Sequence, residues 1–169
     1  MPDLSRIRNV LLAALVGAVL VAGDCDDDPT GIEAEADFEA TLTGSAERPD
    51  PVTTNATGSA FFDENNGTVS FRVEVEDIEN VTLAHIHVGG VEVAGPVSVL
   101  LFDAGGSPRD CDARCVLVED TFTVADLQAG GGILTLEALL AAMVAGTTYV
   151  NVHTTENPGG EIRGQITES

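Results

Sequence analysis

The chain has three histidines, and all of them fall in two short segments. His85 and His87 belong to Ala84-His85-Ile86-His87-Val88-Gly89-Gly90. His153 belongs to Tyr149-Val150-Asn151-Val152-His153-Thr154. In an extended chain alternate side chains share a face, so His85 and His87 project together and His153 projects with Asn151 and Tyr149. If the two segments pair, three imidazoles converge. Three nitrogens plus a water suit Zn²⁺ or Cu²⁺. Separations beyond about 6 Å between the coordinating nitrogens would exclude a shared ion. The alternative is a structural cluster, in which packed or hydrogen-bonded histidines lock strand ends together. H-x-H is short and common, so the spacing alone leaves both readings open.

Arg163 stands in Glu161-Ile162-Arg163-Gly164-Gln165-Ile166, pointing opposite to Ile162 and Ile166. A guanidinium held away from water needs a carboxylate or several carbonyls. Glu161, two residues away on the same face, is one candidate partner, and a distant acid is another. Arg163, Glu161 and Asn151 are therefore read as structural. Gly159 and Gly160 supply a backbone conformation that a side chain would forbid.

Cys111 and Cys115 lie in a polar stretch, Ser107 to Cys115. A small loop-closing disulfide is the first reading, and half of a metal site the rival, although no histidine or further cysteine is local. No catalytic residue stands out. There is no G-x-S-x-G, no phosphate-cradling glycine loop and no carboxylate pair set apart from the rest. Asn55, Asn66 and Asn80 each begin an N-glycosylation triplet, which matters only if the source glycosylates exported chains.

The elements around these residues read as strands. Phe38, Ala40 and Leu42 alternate with polar residues, as do Val69, Phe71, Val73 and Val75. Glu47 to Pro51 makes a rigid polar loop. Ala56 to Phe62 is a further strand, and Asn66-Gly67 is a hairpin turn. Val81 to Val88 is apolar on both faces, which places the histidine strand centrally. Val97–Phe102, Val116–Val124, Tyr149–His153 and Glu161–Thr167 complete about eight strands. Leu136, Leu139, Leu140 and Met143 fall at helical spacing, with Thr135 as N-cap and Gly146 as stop. The expected fold is all-β: an antiparallel Greek-key sandwich or barrel with one short helix near its C-terminal part.

Phe38-x-Ala40-x-Leu42-x-Gly44-x-x-Glu47-x-Pro49, the Ala84-His85-Ile86-His87 element, and Tyr149 to Thr154 followed by Asn157-Pro158-Gly159-Gly160-Glu161-Ile162-Arg163-Gly164-Gln165-Ile166 together resemble the CHRD domain, named from chordin. The resemblance runs from about Asp37 to Thr167. It implies an extracellular β-rich module. In chordin-like proteins such modules belong to binders of secreted growth factors, so an extracellular protein or surface polymer is the implied partner. Arg109 to Cys115 looks like an insertion relative to that pattern. The chain is also weakly similar to copper-zinc superoxide dismutase, whose copper ligands His85 and His87 would match. The histidines are too few for a two-metal site.

Composition narrows the partners. There are 28 acidic residues against 7 basic ones, for a net charge of −21. Nucleic acid and anionic lipid are excluded as partners, because phosphate binding needs clustered Lys or Arg. Arg6 and Arg8 precede an apolar run from Val10 to Ala22, the pattern of a signal peptide over residues 1–23. The VAGDC string resembles a lipobox, with Asp24 where a small residue is expected. Lipid attachment at Cys25 and free secretion both stay open. Residues 24–36 read as an acidic disordered tether and 37–169 as the β domain. The expected location is extracytoplasmic, secreted or anchored to the outer face of a membrane.

Overall fold

The computed structural model describes residue 32 and residues 36–169. The signal segment, Cys25 and nearly all of the tether lie outside the described residues.

Ten strands form one antiparallel sheet: β1 (Phe38–Thr43), β2 (Thr57–Asn65), β3 (Thr68–Glu76), β4 (Ile78–Val88), β5 (Val97–Asp103), β6 (Arg109–Cys111), β7 (Cys115–Thr123), β8 (Thr148–Thr154), β9 (Ile162–Gln165) and β10 (Thr167–Glu168). Eight of them follow the path β5-β4-β8-β9-β1-β2-β3-β7. β6 pairs with β4, and β10 with β1. β5 and β7 approach each other, so the sheet curls into a nearly closed barrel. Closure hides most of the edge N–H and C=O groups that an open sheet would leave unpaired. The all-β expectation holds. β6 and β10 are too short to leave a period in the sequence.

Local chemistry explains the joints. Asn66 and Gly67 both have positive φ, 53° and 83°, as a two-residue turn matched to strand twist requires. They close β2 onto β3 with Asn65 opposite Thr68. Two strands run longer than their apolar residues suggest. β2 continues through Asp63 to Asn65, and β4 begins at Ile78. Polar side chains on the wet face do not interrupt the ladder. The ladders of β4 shift register between Ile78 and Val81, where Asn80 takes a φ of 55°.

The core is aliphatic with a small aromatic centre. Phe71 packs on Phe62 at 6.4 Å and on Phe122 at 5.9 Å between ring centres. The helix α1 (Leu136–Val144) buries Leu136, Leu139 and Met143 against this core. Each such side chain contributes about 2 kcal/mol. The Thr135 hydroxyl accepts from the Ala138 N–H at its start, and Gly146 ends it at a φ of 62°. Cys111 and Cys115 form the expected disulfide, with Cys111 buried in the core. Arg109 donates to the carbonyls of Leu117 and Val116 and holds that loop to β7.

What positions the histidines is the C-terminal hairpin. β8 pairs with β4 on one side and with β9 on the other. Ala84, Ile86, Val150, Val152 and Ile162 point into the core and are fully buried. Their neighbours in sequence therefore point outward. Yet β8 is buried at every position. The reason is that residues 44–54, 89–96 and 155–161 fold over the outer wall.

Candidate metal centre

The strand register lines up the outward residues. His87 stands opposite Tyr149, His85 opposite Asn151, and Leu83 opposite His153. Asn151 in turn stands opposite Arg163, and Tyr149 opposite Gln165. The three imidazoles come together as the pairing of the two segments requires. Their candidate ligand nitrogens all lie within 4.8 Å of one another. Ring centres are 4.9 Å apart for His85 and His153, 5.5 Å for His85 and His87, and 6.1 Å for His87 and His153.

The hydrogen bonds fix the tautomers. His87 Nδ1 lies 2.8 Å from the Gly95 carbonyl, and His153 Nδ1 lies 3.0 Å from the Pro158 carbonyl. A carbonyl only accepts, so each Nδ1 carries the proton and each Nε2 is bare. His85 Nδ1 then donates to His153 Nε2 at 3.0 Å. His87 Nε2 is buried and has no hydrogen-bond partner among the described residues. A buried lone pair left unpaired costs roughly 1–3 kcal/mol. Of the three rings only His87 presents an unengaged buried nitrogen; His153 Nε2 accepts from His85 Nδ1, so ligation by all three requires that hydrogen bond to break and the His85 proton to move to its Nε2. Bonds of 2.0–2.1 Å at trigonal or tetrahedral angles set ligands about 3.4–3.6 Å apart, so a pair separated by as much as 4.8 Å closes by about 1 Å on binding.

All three imidazoles are held neutral. Burial, then repulsion from His153 and His87, pushes His85 down to about 4. Burial also lowers His87 and His153, against the opposing pull of the Gly95 and Pro158 carbonyls. Neutral imidazole is the form that binds a metal.

Behind the histidines stands a column of planar groups. The His87 ring lies on the Tyr149 ring at 4.9 Å and 9°, and the Arg163 guanidinium carbon lies 3.4 Å above the Tyr149 ring. Arg163 donates to the carbonyls of Val93 and Gly90, at 3.1 and 2.9 Å. Tyr149 Oη accepts from the Gly95 N–H at 2.9 Å. Gln165 donates to Gly89 and Gly146. One loop, 89–96, is thus clamped by three residues of the hairpin and presents Gly95 to His87.

Glu161 is not the partner of Arg163. Its carboxylate accepts from Thr54, Thr154 and Asn157, at 2.8, 2.7 and 3.1 Å. β9 begins only at Ile162, so Glu161 lies in the turn and the period-two relation to Arg163 does not apply. Arg163 is satisfied by carbonyls instead, with Glu47 the carboxylate that acts on it most strongly. Asn151, read as structural, donates to Glu47 Oε1 at 2.5 Å. Glu47 is almost fully buried, and burial raises its carboxyl to about 7 against the pull of Arg163. A groove of about 410 Å³, lined by Glu47, Arg48, Ala94 and Pro158 among others, opens beside it. The parts that sequence reasoning missed are Glu47, Gly95, Pro158 and the packing role of Tyr149. Two of them act through backbone carbonyls, which leave no mark on residue type.

The family model of the CHRD domain matches residues 38–166. No curated protein and no solved structure matches the chain.

Proposed function

Because the chain belongs to the CHRD domain family, whose β scaffold carries three imidazoles on its outer wall here, we propose that it is an exported metal-binding module. It binds one copper or zinc ion through His85, His87 and His153. The observation that carries this reading is His87 Nε2. It is buried, deprotonated and unpaired, which a purely structural histidine avoids. The role is binding rather than catalysis, since among the described residues no nucleophile or acid–base pair accompanies the imidazoles. Dismutase-like turnover is the less favoured reading. The bound ion supplies Lewis acidity or a one-electron couple when present. The chain's own residues hold the imidazoles neutral, orient their nitrogens and exclude water from two of the three.

Export follows from the apolar segment Val10–Ala22 and the paired Arg6 and Arg8. It places the module outside the cytoplasm, either free or tethered by a lipid at Cys25. A second reading makes the module a binder of an extracellular protein or surface polymer with structural histidines. The His85–His153 hydrogen bond favours it, because that contact satisfies two rings without any ion.

Metal analysis of untagged protein separates the two. One copper or zinc per chain, lost in His85→Ala and His153→Ala while the β fold persists, supports the metal reading. Metal-free protein that takes up neither ion on dialysis contradicts it.

A further inference from the structure

Three neutral imidazoles bring no charge to the ion they would hold. Among the described residues, no carboxylate or thiolate joins His85, His87 and His153 at ligand distance. A buried cation stands beside them. Arg163 lies 3.4 Å from the Tyr149 ring centre, and Tyr149 lies flat against His87. Arg163 is almost fully buried, so water does little to screen it from the imidazoles. Its counter-charge is Glu47, whose carboxyl is only partly ionised near neutrality and is spent on Asn151 and Arg163. Asp103 acts on His85 from an exposed position, where water screens it. The large negative charge of the chain is spread over its surface and fades within ~8 Å at physiological ionic strength.

The cost of moving an ion into such a site grows with the square of its charge. A divalent ion pays about four times what a monovalent ion pays, and Arg163 repels it twice as strongly. Three nitrogens also satisfy Cu(I), which is stable with three ligands, whereas Zn²⁺ completes a tetrahedron with a fourth. We infer that the three-histidine centre takes copper as Cu(I) in preference to any divalent ion, with Arg163 as the residue that sets this preference. The inference rests on the metal reading above and adds the ion's charge state to it.

The test uses the full, untagged chain. Apo-protein is titrated anaerobically with Cu(I) against bicinchoninate, and with Cu(II) and Zn(II) against chromophoric chelators, at pH 7.5. The expected result is one Cu(I) per chain, held about a hundredfold or more tighter than either divalent ion. Arg163→Met removes the repulsion and narrows the gap by about tenfold. Glu47→Gln removes the compensating charge and widens it, and keeps the comparison available if Arg163→Met does not fold. Zn(II) or Cu(II) binding as tightly as Cu(I) overturns the inference and leaves the metal site standing. A gap that neither variant moves overturns the assignment to Arg163. No binding of any of the three ions overturns both the inference and the metal reading.

Discussion

The imidazole of His87 lies parallel to the phenol ring of Tyr149, 9° apart and 4.9 Å between centres. The Tyr149 hydroxyl and the His87 Nδ1–H both end on Gly95, one taking its N–H and the other giving to its carbonyl. A single loop residue therefore sets both the tilt of the imidazole and its tautomer. Tyr149→Phe keeps the ring but drops the hydroxyl. Metal affinity should fall about tenfold, the size of effect seen when a ligand's outer support is lost. Isothermal titration reads it directly. Unchanged affinity would show that the His87–Gly95 bond alone orients the ring.

Stability should depend on pH through groups of opposite sign, the three imidazoles on one side and Glu47 on the other. His85 is depressed to about 4 from its ordinary 6.5, so the unfolded chain binds more protons between those values. Its contribution is complete above pH 6.5 and is lost as pH falls towards 4. Glu47 is raised to about 7 from 4.5. Its contribution is complete below pH 4.5 and is lost as pH rises through 7. Below pH 6.5 the Glu47 slope opposes the combined slope of the three depressed imidazoles, so the wild type should lose stability towards acid less steeply than the histidines alone would dictate. Glu47→Gln should leave the acid-side loss exposed and gain roughly 1 kcal/mol at pH 8, after allowance for water at the edge of its groove. Urea melts from pH 4 to 8 measure both. A parallel profile in the variant would contradict the assignment.

Gly160 should resist substitution. Its φ is 127°, and a Cβ there would meet the Asn151 amide and Glu47 Oε1, the latter at 2.7 Å. Gly160→Ala should cost about 2–4 kcal/mol, part backbone strain and part disruption of the Glu47–Asn151 contact. Gly159→Ala meets nothing within 4 Å and should be nearly silent. Equal melting temperatures for the two variants would contradict the packing described.

The Cys111–Cys115 bridge should matter to stability but not to the metal centre. It closes a ring spanning only four residue steps. Such a short ring removes about 2 kcal/mol of chain entropy from the unfolded state. The double Cys→Ser variant should melt several degrees lower and bind metal as the wild type does. Loss of metal in that variant would tie the loop to the centre, against its position at β6 and β7.

Much of this was legible from residue order. Period-two alternation marks β1 and β3, a run apolar on both faces marks β4, Asn66-Gly67 marks a hairpin, and leucine spacing marks α1. H-x-H on one strand and His153 on another foretell a cluster once the strands pair. What residue order hides is chemistry carried by the backbone. Gly95 and Pro158 act as carbonyls, and any residue offers a carbonyl. Arg163 likewise finds Gly90 and Val93 rather than the acid two places before it, because Glu161 lies in the turn where alternation has stopped. Glu47 sits in a proline-bearing polar loop that looks solvated. Only the fold of residues 44–54 over β8 shows that it is buried.

X-ray absorption at the edge of the reconstituted metal tests the centre most directly. The expected spectrum shows a first shell of three nitrogens at about 2.0 Å with the outer-shell scattering of three imidazoles. That scattering should drop by one ring in His87→Ala. An oxygen-dominated shell, or imidazole scattering unchanged in the variant, would contradict the three-histidine assignment.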